Sequence, residues 1–457
     1  MKKIKYLIML LLSAFVLNSV AQTAKSSYFL DGAFYNYQLN PAIKAERGFF
    51  AVGIGNLALG TNGNVGLSNF LYPMGDDKLT TFMSGNVDQN LFLDNLPDAA
   101  RLGFNLDETI LAMGLRMFGG YTTLSLSMHA GVSASLPKGF FEFAKKGLQE
   151  NYYSFSGINL SSSNYAALTL GHSREIFDGF RVGVNAKYLL GLAHANVTVD
   201  KLEVEFSEER WRATSHAHAQ AALFCDAEMK LEDGSISGFE MGSTIPAATG
   251  LAFDFGVVYD MGDIVPGLTL SASVIDLGKI NWQYMMTAQS ADAEVMFDGF
   301  DEIDPNDVNA SLDAELESLQ EQAMEMIDFE YGSVKAMSTA LNTTMYLGAE
   351  YNMPFYRPLS VGILYGQRFS SSTFNKWHEV RGFLNIAPLK WIEASANFGT
   401  TSYGTSWGWM LNYHPAGFTF FVGSDYMLTK VTPQFIPVDD LNTHITLGVN
   451  LAIGKRK

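Results

Sequence analysis

Apolar and polar residues trade places with a period of two along most of this chain. Leu124, Leu126, Met128, Ala130, Val132 and Ala134 alternate with Ser125, Ser127, His129, Gly131, Ser133 and Ser135. Near the C-terminus Ile445, Leu447, Val449, Leu451 and Ile453 alternate with His444, Thr446, Gly448, Asn450 and Ala452. Successive side chains of a strand point to opposite faces, so each run is a ribbon with one apolar and one small or polar face. In a soluble sandwich the polar faces carry many charges. Here they are mostly Gly, Ser, Thr, Asn and Ala, which suits strands with the apolar face toward lipid and the other toward a lumen.

The same alternation predicts strands at 49–59, 109–118, 121–136, 165–173, 181–199, 251–261 and 268–277. The last third repeats it at 343–353, 359–369, 378–386, 390–399, 407–414, 418–426 and 443–453, separated by Gly, Pro, Asn or Ser turns. Residues 60–64 read as a turn. The stretch 69–106, with Pro73 and Pro97, reads as irregular chain. A short helix is expected at 137–148, with Lys145 and Lys146 near its C-terminal end, where the helix dipole favours cations. The fold class predicted is all-β: an antiparallel transmembrane barrel of about 14 strands, occupying 49–457, with a few short helices.

The N-terminus points to the same compartment. Lys2, Lys3 and Lys5 precede an apolar run over 6–17, and Ser19-Val20-Ala21 offers small residues at a cleavage site. Residues 1–21 are therefore expected to be a signal peptide, the run being shorter than the ~20 residues of a spanning helix. The mature chain is expected in the outer membrane of a Gram-negative bacterium, with lipid as its solvent. Residues 22–48 precede the first strand and are too polar for lipid, which makes them a candidate lumen plug.

Composition agrees: aromatic residues make up 13% and charged residues 17% of the chain, against ~25% charged in a typical soluble domain. Sparse, scattered Lys and Arg exclude nucleic acid as a partner. The lone Cys225 has no internal disulfide partner. The charges expected to face inward, Lys187, Glu350, Arg368, Arg381 and Glu393, are candidate lumen residues.

One segment breaks the pattern. Residues 298–330 hold twelve Asp or Glu and no Lys or Arg, toward a net charge of −17. Within them Leu312, Leu316, Leu319 and Met326 belong to an amphipathic helical stripe, a candidate docking helix for a protein partner. Asp301, Asp304 and Asp307 lack the spacing of a calcium loop.

Chemistry is sparse by motif. His216 and His218 share a strand face, with no third ligand placed by sequence. Gly404-Thr405-Ser406-Trp407-Gly408 matches a nucleophile elbow by letter, but it leads into a strand instead of a helix. Ser127 and His129 share a strand face, which the polarity of a lumen accounts for. Neither an enzyme nor a bound cofactor or metal is expected.

At Asn40-Pro41-Ala42 the chain resembles the long-chain fatty-acid transporter family of outer-membrane barrels, and the related barrel subunit of the type IX secretion system of Bacteroidetes. Two further blocks are similar to an uncharacterised Bacteroidetes family of unknown function: Val182-Gly183-Val184-Asn185-Ala186-Lys187-Tyr188-Leu189-Leu190-Gly191, and Ser273-Val274-Ile275-Asp276-Leu277-Gly278 with Ile280 and Trp282. The resemblance implies a barrel with its N-terminal segment inside. No fatty-acid pocket residue matches one by one. By analogy of fold, the expectation is a barrel that passes or binds hydrophobic or amphipathic small molecules. The alternative is a non-transporting subunit of a secretion or surface-assembly complex, docking through the acidic segment.

Overall fold

The computed structural model describes residues 23–454 apart from 76–77, 148–150, 207–210, 233–234, 244, 291–292, 298–328, 371–374, 403 and 428–441. The expected signal peptide and the docking positions Leu312, Leu316, Leu319 and Met326 lie outside the described residues. Fourteen strands build a closed antiparallel wall. They are β1 (Gly48–Gly63), β2 (Ala99–Met117), β3 (Gly120–Pro137), β4 (Ile158–Phe177), β5 (Phe180–Phe206), β6 (Ala248–Asp260) and β7 (Leu268–Ser290). The second half is β8 (Thr344–Asn352), β9 (Leu359–Arg368), β10 (Trp377–Leu389), β11 (Ile392–Thr401), β12 (Gly404–Tyr413), β13 (Phe418–Ser424) and β14 (Thr443–Ile453).

The ring closes because β1 pairs with β2 on one side and with β14 on the other, for example Phe50 with Leu451 and Leu59 with Ile445. Lipid offers no hydrogen bonds, so an extended chain survives there when both edges of every strand are paired. The alternation sorts the faces as the polarity demands. Leu168, Leu170, Val184, Leu251, Phe255, Leu347 and Ile363 are exposed, whereas Thr169, Asn185, Asp254 and Ser273 are buried inward. Phe118, Phe177, Phe355, Trp391 and Phe418 are exposed around one rim, an aromatic girdle at the lipid interface. This is a transmembrane barrel.

The two rims differ. At the girdled rim β2–β3 turn through Phe118 and Gly119, both at positive φ, and β4–β5 turn through Asp178 and Gly179. Positive φ suits a tight hairpin to the twist of its strands. The opposite rim carries the long connections 64–98, 138–157 and 425–442. In barrels of this kind short turns face the periplasm and long loops the exterior. The strands that flank the acidic insertion bring the chain out at the long-loop rim. There the helices Gln89–Asp94 and Lys138–Lys146 pack through Phe92 and Phe141 onto Phe70 and Phe82.

Four boundaries differ from the sequence expectation. The stretch expected to be irregular through 106 is strand from Ala99, because Ala99–Leu106 pairs along β3 from Pro137 to Ala130. The turn expected at 60–64 is strand as far as Gly63, held by the far part of β2. β5 and β7 outrun their predicted lengths. Trp211–Leu223 pairs with the far half of β5, and Phe329–Ala340 with the far half of β7, raising the wall beyond β6 and β8. Long-range pairing fixed these residues; local periodicity does not reach them.

Candidate functional site

Residues 23–47 run inside the barrel. They hold two short 3-10 turns, Lys25–Ser27 and Asn36–Gln38. A chain without partner strands must satisfy its backbone on the wall, and wall side chains reach in to do so. Asp425 accepts hydrogen bonds from the backbone amides of Lys25 and Ser26, each at 2.8 Å. Asn397 donates to the Ser26 hydroxyl at 2.9 Å. The Lys25 ammonium bonds to Glu379 and donates to the Tyr426 hydroxyl at 2.7 Å. Glu379 also receives Arg381, whose guanidinium donates to Ser406 at 2.8 Å. Lower down, both oxygens of Glu393 accept from the Gly32 amide, at 3.1 and 3.0 Å. A Cβ on Gly32 would lie 2.7 Å from the His414 ring, so a side chain there has no room.

Asn40, Pro41 and Ala42 lie against β5 and β6. The Asn40 amide donates to the carbonyls of Val257 (3.2 Å) and Ala272 (3.3 Å), and its oxygen accepts from the Ala42 amide at 2.9 Å. Gly183 and Gly256 make this approach possible. A Cβ at Gly183 would fall 2.2 Å from the Pro41 carbonyl, and one at Gly256 2.0 Å from the Asn40 side chain. The three sequence blocks that carried the family resemblance therefore meet in space. The first sits on the second through Gly183, and Ser273 of the third donates to the Leu39 carbonyl at 2.6 Å.

Above this contact lies an ionic cluster. Lys187 reaches Asp254 at 2.9 Å and Asp276 at 2.7 Å. Asn185 donates to the second Asp254 oxygen at 2.8 Å, and the Asp276 amide to the first at 2.8 Å. Asp276 has φ +60°, at a register shift between Phe253 and Phe255 of the facing strand. A bulge re-aims a side chain that regular pleating would place elsewhere, and here it turns Asp276 toward Lys187.

A cavity of about 560 Å³ opens over the cluster. Its lining is largely hydroxyl and amide, including Asn105, Ser133, Ser161, Ser163, Asn196 and Gln220, with Val132, Ile275 and Leu341 as apolar patches. On its wall His129 stacks on Tyr165, with ring centroids 4.8 Å apart. His129 meets Ser127 at 2.8 Å through Nε2 and Asp107 at 2.5 Å through Nδ1. A carboxylate accepts only, so the proton lies on Nδ1, which donates to Asp107; Nε2 accepts from the Ser127 hydroxyl.

The five inward charges fall in different settings. Lys187 belongs to the ionic cluster, Glu393 bonds to Gly32 of the inner segment, and Arg381 pairs with Glu379, which holds Lys25 of that segment. Arg368 lines the cavity and lies over the Trp377 ring at 5.4 Å. Glu350 accepts from Ser360 at 2.6 Å. His216 and His218 both face Asp200, at 3.9 and 2.6 Å. Among the described residues no group of His, Cys, Asp and Glu is arranged to hold a metal. Sequence reasoning missed Asp107, Asp254 and Asp276; the alternation of β6 (Phe253, Phe255 opposite Asp254) held the signal for one of them.

A family model described as a family of unknown function (DUF5723) matches residues 41–425. No curated protein matches the chain. Among solved structures the toluene transporter TbuX of Ralstonia pickettii is similar at 10% identity and a TM-score of 0.42, covering 96% of this chain and 99% of that one. A Pseudomonas aeruginosa FadL homologue is similar at 10% and 0.44, covering 95% and 98%. The toluene transporter TodX of Pseudomonas putida follows at 8% and 0.40, covering 95% and 94%. The likeness is one of outline.

Proposed function

We infer the role of this chain, which belongs to the DUF5723 family of unknown function, from its lumen. It is an outer-membrane barrel that takes the polar end of an amphipathic small molecule into the cavity above its plug. The observation that carries this reading is the cavity itself. Its volume of about 560 Å³ lies within the range of small-molecule sites. Hydroxyl and amide groups suit a headgroup, and the apolar patches at Val132, Ile275 and Leu341 suit the start of a tail. The unequal rims, the aromatic girdle and the signal-like N-terminus support the compartment. Onward passage requires the plug to shift, since residues 23–47 occupy the lumen beneath the cavity.

The test uses the purified barrel in detergent and the fluorescent amphiphile dansyl-undecanoic acid. Saturable enhancement at one probe per barrel is expected, and Ser163→Trp, which fills the cavity, should abolish it while the protein keeps its heat-modifiable mobility. No saturable binding, or binding indifferent to Ser163→Trp, would sink the reading.

A further inference from the structure

Ser127, His129 and Asp107 meet the geometric requirements of an activated nucleophile: a hydroxyl on a base, and the base oriented by an acid. All three line the cavity. Ser127 and His129 are neighbours on the inward face of β3, and Asp107 stands directly opposite His129 in the β2–β3 register. Two other hydroxyl–imidazole pairs, Thr122 with His172 and Ser402 with His378, are each 3.0 Å apart. Among the described residues neither of those imidazoles has a carboxylate partner. Ser406, the serine of the Gly-x-Ser-x-Gly string, instead accepts a hydrogen bond from Arg381. The relay at Ser127 is thus singled out by its third member and by its access to a cavity.

We propose that Ser127, His129 and Asp107 carry out acyl transfer, and that the barrel cleaves a carboxylic ester presented in its cavity. Ser127 Oγ bonds to the ester carbonyl carbon while its proton passes to His129 Nε2. The tetrahedral adduct collapses, the C–O bond to the alcohol breaks, and His129 delivers that proton to the leaving oxygen. Water from the cavity then attacks the acyl-serine, gives its proton to His129, and the acid leaves as the proton returns to Ser127. Asp107 acts as a positioning residue, fixing the tautomer and bearing the imidazolium. For the developing oxyanion the plug offers Tyr37. Its hydroxyl lines the same cavity and lies beside the side chains of Ser125 and Gln38. Burial, eased by Ser125 and Gln38, pushes the Tyr37 phenol up to about 12, so it remains a donor at neutral pH.

The inference rests on the cavity reading in one respect: an ester must be able to enter from the long-loop rim. A fluorophosphonate is small enough to test the nucleophile without that requirement. The purified barrel, treated with a biotinylated fluorophosphonate, should yield an adduct mapped to Ser127 by peptide mass spectrometry. Ser127→Ala and His129→Gln should lose the adduct while keeping heat-modifiable mobility. Hydrolysis of p-nitrophenyl butyrate should exceed the detergent blank and fall to it in Ser127→Ala. Asp107→Asn should lower kcat on the order of 10⁴-fold with KM unchanged, and Asp107→Glu should restore part of that loss. A folded barrel with no adduct at Ser127, or an adduct indifferent to His129→Gln, overturns the relay. An adduct without dansyl-undecanoic acid binding keeps the relay and overturns the amphiphile reading. Probe binding without an adduct does the reverse.

Discussion

Lys187 stands between Asp254, which is fully buried, and Asp276, which is partly exposed to the cavity. Removing one partner of a buried ion pair leaves the other uncompensated, which costs more than the pair itself contributes. Lys187→Met is therefore expected to destabilise the barrel by about 3–5 kcal/mol, read from its guanidinium unfolding midpoint. Replacing all three residues with apolar ones of similar size should recover most of that loss; a triple variant as unstable as Lys187→Met would refute the account. Asp425 behaves differently, because it lies beyond the end of β13 and holds the plug. Burial raises its pKa, but His444, Arg381 and Lys25 outweigh that and lower it from 3.8 to about 2. Above the upper value both the docked and released forms are ionised. Release removes the Lys25 and Ser26 contributions while His444 and Arg381 stay, so the released form takes its proton at a somewhat higher pH than the docked form. Docking thus weakens as pH falls through this window, by the share of the shift that Lys25 and Ser26 supply. Single-channel recordings should show more plug openings at pH 3 than at pH 6.

At the scale of the element, the plug and the wall are shaped to each other by glycine. A methyl at Gly183 would overlap the Pro41 carbonyl at 2.2 Å, and Pro41 is backbone that cannot swing aside. Gly183→Ala should displace the Asn-Pro-Ala turn without unpairing β5, so conductance should rise while heat-modifiability stays. Unchanged conductance would mean that the turn is not a seat for the plug. Strand elements were legible in the sequence because lipid outside and water inside enforce a strict alternation. Their ends were not, since the first residues of β2 and the last of β1, β5 and β7 are strand through pairing with distant partners. That shortfall reaches the site. Ser127 and His129 were visible as neighbours on one face, whereas Asp107 falls just outside the strand expected from 109, between it and the irregular stretch ending at 106. The bulge that turns Asp276 inward leaves no periodic trace either. Lys187 was legible as an inward charge; Asp254 could have been found from the alternation of β6, but Asp276 could not.

For the whole molecule, wall and insertions are separable. The ring closes through fourteen strands of the described residues, on either side of the acidic insertion. Deleting 301–326 should leave a barrel with the same boiled-to-unboiled gel shift. Loss of the shift would show that the acidic insertion takes part in closure.

The plug does not end free in the lumen at its C-terminal side. Arg47 donates to the carbonyls of His414 and Pro415 at the girdled rim, and the next residue begins β1. Its tether is therefore at the girdled, short-turn rim, and whatever dislodges residues 23–47 must swing them toward that rim or let them pivot about Arg47. If the lumen passes a molecule as proposed, arrival from the long-loop rim would push this segment toward its tether, whereas arrival from the girdled rim would press it back onto Asp425 and Glu379, so passage would favour one direction.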